Sequence, residues 1–193
     1  ERTPHYDSYV KILQEELIPA MGCTEPIAIA LAAARARQAL GVEPEACRAE
    51  VSGNIVKNVK AVTVPNTGGL KGIEASVAAG VVAGRPDLEL EVLSQETPEE
   101  IGAIGDFLKR CPIKVVLGGE GRIFYINVTA IGGGHSACCE IMDFHTKVNR
   151  VMRDENVLFQ GGVTDGQAEE ADRSVLSVEE IIRFADCLDV EDV

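Results

Sequence analysis

The longest apolar stretch of the chain covers residues 27–34, and Arg35 and Arg37 follow directly after it. An apolar run with cations only at its far end is typical of a buried α-helix, because cationic side chains favour the negative end of the helix dipole. Gly41 comes soon afterwards and is a residue type on which helices often end. The pattern predicts a buried helix over 25–40.

Periodicity and end signals predict further helices on either side. Apolar side chains at helical spacing indicate a helix over 6–19, and a run of small residues indicates another over 73–83. A capping-box pattern at Thr97, with proline next in the chain, predicts a helix that ends at Arg110. The same capping pattern at Ser177 predicts the last helix.

Runs rich in β-branched and apolar residues, separated by glycine-rich or polar breaks, predict strands. They cover 46–51, 61–64, 88–93, 113–117, 123–131, 135–146 and 157–160. We expect a polar turn around Gly53 between the first two. The last four are interpreted as an antiparallel meander covered by the helix that follows Thr97. Residues 161–173 have the polar composition of a loop.

Together these elements predict an α+β protein, with helices packed on a mixed and antiparallel sheet in one or two small lobes, 1–95 and 96–193. No apolar run reaches the roughly 18 residues of a membrane span, and the first residues do not resemble a signal peptide. We therefore expect a cytoplasmic protein with reduced cysteines. The net charge of −13 argues against nucleic acid and anionic membranes as partners.

Cys23 directly precedes the predicted buried helix. Backbone amides at a helix N-terminus lack partners within the helix and favour the thiolate form, so we expect the pKa of this thiol to be lowered. A thiolate can act as a base, a nucleophile or a metal ligand. The alternative is a buried cysteine that only fills space.

Two polar segments carry candidate ligand-binding residues. The glycine-rich segment 65–72 leads into a predicted helix, and its amides and Lys71 would suit a carboxylate or phosphate, although an ordinary turn is the alternative. It lacks the spacing of a nucleotide-binding P-loop. The side chains of Asn54, Lys57 and Asn58 suit the carboxylate and ammonium groups of an amino acid, although asparagine in a turn usually bonds its own backbone.

Of the three histidines, His135 is the most site-like, because the glycines before it permit a close approach at the start of a strand. His5 and His145 have the context of surface or strand positions. Cys138 and Cys139 are neighbours on a predicted strand, so their side chains point to opposite faces. The chain has no CxxC pair, and we expect no metal site within it.

Five motifs, which include the sequence around Cys23, occur together in this chain. They are Gly-Cys-Thr-Glu-Pro at 22–26, Val-Ser-Gly-Asn-Ile-Val-Lys-Asn at 51–58, Val-Thr-Val-Pro-Asn-Thr-Gly at 62–68, Gly-Gly-His-Ser at 133–136, and the helical segment 176–184. With them the chain resembles, over nearly its whole length, the L-cysteine desulfidase and serine dehydratase alpha-like family. Members of that family are about twice as long, so the resemblance implies an N-terminal catalytic half without the C-terminal, cluster-binding half.

The resemblance implies an enzyme that cleaves L-cysteine to pyruvate, ammonia and sulfide by β-elimination. It also implies an oxygen-sensitive [4Fe–4S] cluster, held by cysteines of the C-terminal half, and it assigns the base that removes the α-proton to Cys23. The substrate-binding residues expected on this basis are Asn54, Lys57, Asn58, Asn66, Thr67, Gly68 and His135. An L-serine dehydratase-like deaminase and a non-catalytic amino-acid-binding module are the alternatives, and homo-oligomerisation is left open.

Overall fold

The computed structural model describes residues 2–17, 19–161 and 171–193. The fold is α+β, as predicted. The described residues divide into two compact units: one contains those up to Pro19 together with 171–193, and the other contains those from Ala20 to Gly161. The lobe boundary after residue 95 that the sequence suggests therefore falls inside the second unit.

The larger unit is built on a six-stranded mixed sheet. Its strands are β1 (Ala46–Val51), β2 (Ile113–Leu117), β3 (Tyr125–Gly132), β4 (His135–Met142), β5 (Val148–Arg153) and β6 (Asn156–Gln160), in the order β2-β1-β3-β4-β5-β6. The meander of β3 to β6 is antiparallel as predicted, but placing β2 in it was wrong. This strand lies at the sheet edge, parallel to β1, because the long helical connection between the two carries the chain back to the same end of the sheet. Strand β5 was not predicted, and β4 ends before residue 146.

The helices match most of the predicted ones. They are α1 (Tyr6–Glu16), α2 (Thr24–Leu40), α3 (Gly53–Val59), α4 (Gly72–Ala83), α5 (Pro98–Arg110) and α6 (Val178–Cys187). α2 ends at Gly41, which is left-handed with φ 78°. Thr97 and Glu100 form the predicted capping box of α5, and the Ser177 side chain accepts a bond from the amide of Glu180 at the start of α6.

The segment between β1 and α5 differs most from the prediction. The polar turn expected around Gly53 is helix α3, and residues 61–64 contribute only an isolated bridge between Thr63 and Lys71. The strand expected over 88–93 is a 3₁₀ turn, Pro86–Glu91, in which Leu90 is buried. An alternation over so few residues does not separate a strand from a short helical segment.

Helices α2 and α4 form the layer under the sheet. α2 packs on β3 and β4, and its residues 27–34 are almost fully buried. α5 packs on α4 rather than serving as the main cover of the sheet, which corrects the prediction. Small residues let α2 and α4 approach closely where Gly80 meets Ala30. At 17 residues, α2 is about 25 Å long and runs from one end of the sheet to the other.

The smaller unit has its own apolar cluster. Phe184 of α6 packs against Tyr6 and Tyr9 of α1, with ring centroids 5.3 Å and 4.9 Å apart. Most of the loop predicted over 161–173 lies outside the described residues. In the part of the chain that is described, no helix is long and apolar enough to cross a membrane.

Candidate functional site

The start of α2 brings together side chains from three elements. The Cys23 thiol donates a hydrogen bond to Oε2 of Glu25 at 3.4 Å, and Nδ2 of Asn58 in α3 donates to Oε1 at 3.2 Å. The Thr24 hydroxyl lies 3.5 Å from Oε2 of Glu25 and 3.0 Å from Nε2 of His145, which follows β4. We call these five residues the Cys23 cluster.

Local structure explains the arrangement. Cys23 is the extended residue before α2, and Glu25 lies in the first turn, where the helix dipole stabilises a carboxylate. His145 is half-buried and packs edge-on against Phe124, with ring centroids 4.6 Å apart. The cluster therefore lies at the end of the sheet where β4 finishes.

The ionisation of the cluster differs from the expectation for Cys23. Partial burial raises the pKa of the Cys23 thiol, and the hydrogen bond to Glu25 and the charge of that carboxylate raise it further. The backbone amide of Glu25 does lower the pKa of Cys23, as the helix-terminus argument predicts, but this effect is outweighed. The prediction of a lowered pKa was wrong because it did not include the neighbouring carboxylate.

The pKa values of Glu25 and His145 are both lowered, but for different reasons. Burial alone would raise the pKa of Glu25, but its own backbone amide, the donors of Cys23 and Asn58, and the charge of His145 together lower it. Burial lowers the pKa of His145, against the opposing effect of Glu25. At neutral pH the cluster therefore contains a carboxylate, a neutral imidazole and a protonated thiol.

Asn54, Lys57 and Asn58 share one face of α3, because residues three and four apart are neighbours on a helix. Asn58 reaches Glu25, whereas the side chains of Asn54 and Lys57 are exposed. The structure thus brings one of these three predicted residues into the Cys23 cluster and leaves two beside it on the same helix face.

The loop of residues 65–69 lies next to the Cys23 segment, since a Cβ on Gly22 would be 3.4 Å from Cγ of Pro65. Its polar side chains, however, donate hydrogen bonds to backbone carbonyls and so stabilise the conformation of the loop. Asn66 donates to the Leu93 carbonyl at 2.8 Å, and the buried Thr67 hydroxyl donates to the Val64 carbonyl at 2.8 Å. Within this loop, Asn66, Gly68 and Gly69 are exposed to solvent, and Gly68 has a φ of 70°.

His135 is not part of this cluster. It starts β4, whereas His145 follows the end of that strand, and eight strand residues span about 25 Å. Nδ1 of His135 lies 2.9 Å from Oδ2 of Asp154, and both side chains are exposed. The structure therefore gives His135 a partner at the far end of the sheet.

Within the described ranges, the other cysteines are not gathered into a group of possible metal ligands. Cys139 faces the core and Cys138 the other side of β4, as predicted for strand neighbours. Burial raises the pKa of Cys139 to about 12. Among the described residues, no group of three or more His, Cys, Asp or Glu side chains could hold a metal ion.

Three members of the cluster, Thr24, Glu25 and His145, were not identified as site residues from the sequence. Glu25 was quoted within a motif without a role, although a carboxylate two residues after a candidate thiol is a local signal that could have indicated one. His145 was assigned to the surface or a strand. It meets Thr24 across 121 residues of sequence, and no local pattern indicates that contact.

Proteins similar to this chain carry the name UPF0597 protein. That of Desulfitobacterium hafniense is 46% identical over 190 residues, which are 98% of this chain and 44% of the relative. That of Treponema denticola is 39% identical over 190 residues, and that of Finegoldia magna is 42% identical over 187, with 97% and 96% of this chain and 44% and 45% of the relatives covered. The chain therefore spans less than half the length of these relatives. No protein-family model and no solved structure matches it.

Proposed function

We propose that this chain is the substrate-deprotonating part of a longer cytoplasmic amino-acid β-lyase, one that cleaves L-cysteine to pyruvate, ammonia and sulfide. The observation that carries the proposal is the Cys23 cluster, in which a thiol able to act as a base meets a carboxylate and an amide able to hold an amino acid. The resemblance to L-cysteine desulfidases at residues 22–26 supports the same assignment.

In this proposal Cys23, as thiolate, accepts the α-proton of the substrate. A thiolate whose pKa is raised is harder to form but is a stronger base once formed, which favours abstraction of a weakly acidic proton. Glu25 offers a negative charge to the substrate ammonium group, and Asn58 fixes the orientation of that carboxylate.

The resemblance implies that the iron–sulfur cluster is held by cysteines of the C-terminal half and not by this chain. Its thiolate ligands normally come as a closely placed set. The described ranges 2–17, 19–161 and 171–193 contain no such set. In this proposal, the ligands of the iron–sulfur cluster therefore lie outside this chain.

A second candidate is a non-catalytic amino-acid-binding module. The raised pKa of Cys23 favours this binding module, because the thiol stays protonated at neutral pH and the reactive form of cysteine is the thiolate. L-Serine is the alternative substrate of the lyase, since the same elimination would expel hydroxide instead of sulfide.

Anaerobic reconstitution of the full-length protein with iron and sulfide, followed by assay with L-cysteine and L-serine, tests these functions. Sulfide and pyruvate from L-cysteine are the expected products. Pyruvate from L-serine alone would indicate the deaminase. Saturable binding of either amino acid without pyruvate would contradict the lyase and favour the binding module.

A further inference from the structure

Glu25 gives the start of α2 a charge preference opposite to that of a bare helix N-terminus. The helix dipole alone would attract an anion, whereas an ionised carboxylate in the first turn presents a negative charge. Oε1 of Glu25 is held by Asn58, and Oε2 is contacted by the Cys23 thiol and the Thr24 hydroxyl. A cation arriving at the cluster would therefore meet Oε2, whose present donors are both neutral.

The bond from Cys23 to Oε2 is the easier one to replace. A thiol is a weak donor, its sulfur lies 3.4 Å from the oxygen, and Cys23 is exposed. The ammonium group carries a full positive charge and donates to the carboxylate as an ion pair, whereas the thiol is uncharged. An ammonium group is thus expected to win the competition for Oε2.

We propose that the α-ammonium group of the substrate displaces the Cys23 thiol from Oε2 of Glu25, and that this exchange is what allows Cys23 to lose its proton. The inference rests on the proposed function and deepens it, because it makes the base form only when an amino acid is present. Glu25 binds the substrate in this scheme and acts on Cys23 through that contact.

The proton balance is simple. The Cys23 proton leaves to solvent water at the exposed cluster, and the ammonium group keeps its own protons. The thiolate then takes the α-proton of the substrate and returns to the thiol. No electrons are transferred in either step, so no oxidant or reductant is required.

The other groups around Cys23 do not replace the substrate cation. His145, from the connection after β4, is neutral at pH 7 because burial lowers its pKa. On α3, Asn58 is uncharged, and the cationic side chain of Lys57 is exposed to solvent. Burial continues to raise the pKa of Cys23, but the Glu25 carboxylate, once paired with an ammonium group, no longer raises it further, so the pKa should fall.

Alkylation of Cys23 by iodoacetamide across pH, followed by mass spectrometry of its peptide, tests this on the 193-residue chain. L-Alanine, which has no β-leaving group, is the main probe, with ethylamine as an ammonium-only arm and acetate as a carboxylate-only arm. We expect L-alanine and ethylamine to lower the midpoint of the pH profile by about one pH unit. Below the midpoint, this shift raises the thiolate fraction about tenfold. Acetate should leave the midpoint unchanged. The midpoint is read rather than the rate, because a bound ligand also hinders access.

Glu25→Gln removes the charge with little change in shape. Its midpoint should lie below that of the wild type without any ligand, and L-alanine should not move it. Glu43→Gln, at the other end of α2, is the matched control and should behave as the wild type. An unchanged midpoint with L-alanine in the wild-type chain, a measurement that needs no variant, would overturn the inference.

The inference and the proposed function fail separately. A midpoint that shifts with L-alanine, in a full-length protein that releases no sulfide or pyruvate, supports the ammonium exchange and contradicts the lyase. Sulfide release with no shift in the midpoint retains the lyase and overturns the exchange.

Discussion

Replacing Gly80 by alanine should destabilise the larger unit, because α4 meets α2 backbone to backbone at this residue. A Cβ added at Gly80 would lie 2.8 Å from Cα of Ala30 and closer still to its carbonyl oxygen. Carbon atoms in contact are normally about 3.5–4.0 Å apart, so the two helices would have to separate by roughly 1 Å. Both helices are buried here and have little room to adjust.

The magnitude follows from two opposing effects. Overpacking a core costs about 1–3 kcal/mol and occasionally more, whereas replacing glycine by alanine in a helix gains about 1 kcal/mol in propensity. Because the obstacle is backbone rather than a flexible side chain, the upper end of the packing range applies. We expect Gly80→Ala to lower the free energy of unfolding by about 2 kcal/mol.

Gly102→Ala is the matched control, because a Cβ at Gly102 of α5 meets nothing within 4 Å. The same methyl group should there raise stability by up to about 1 kcal/mol. Urea unfolding followed by far-ultraviolet circular dichroism gives both values, and amide hydrogen exchange in α2 and α4 localises the loss. If Gly80→Ala were as stable as Gly102→Ala, the close approach of α2 and α4 would be refuted.

Three further predictions concern the capping box, the smaller unit and alkaline pH. Thr97→Ala should cost about 0.5–2 kcal/mol in urea unfolding, because it removes the capping bond to the Glu100 amide, and no loss would contradict the box. Phe184→Ala should cost about 3–5 kcal/mol and speed amide exchange in α1 and α6, since it empties their shared cluster; unchanged exchange would contradict that packing. Burial raises the pKa of Cys47 to about 12, so its stabilising effect is complete below the ordinary value of 9.0 and is lost as the pH rises towards 12. The urea midpoint should therefore fall between pH 9 and pH 12, less steeply in Cys47→Ala, and equal slopes would contradict the burial of this thiol.

The elements predicted correctly are those whose signals are local. The end of α2 at Gly41 and the start of α5 at Thr97 depend on residues within one turn of the boundary. The parallel pairing of β2 with β1 depends on contacts across more than 60 residues, and a run of apolar residues does not indicate which strand it will join. Short segments such as α3 and the 3₁₀ turn at 86–91 fit more than one pattern.

The residues of the candidate site also differ in whether a local sequence signal indicates them. Cys23 was found because its signal lies in the adjacent helix, and Asn58 because its residue type suits an amino-acid ligand. The contact of His145 with Thr24 depends on the whole sheet and could not be predicted. The sign of the pKa shift of Cys23 depends on where the Glu25 carboxylate points, which the sequence does not specify.

Sulfide release by the full-length protein with Cys23→Ala, measured beside the wild type and a Cys138→Ala control, tests the central claim most directly. The absorbance of the reconstituted iron–sulfur cluster is recorded on the same samples, so that loss of the cluster is not mistaken for loss of the base. The account predicts that Cys23→Ala retains this absorbance and loses sulfide release, while Cys138→Ala retains both. Sulfide release near the wild-type rate in Cys23→Ala would contradict the assignment of Cys23 as the base.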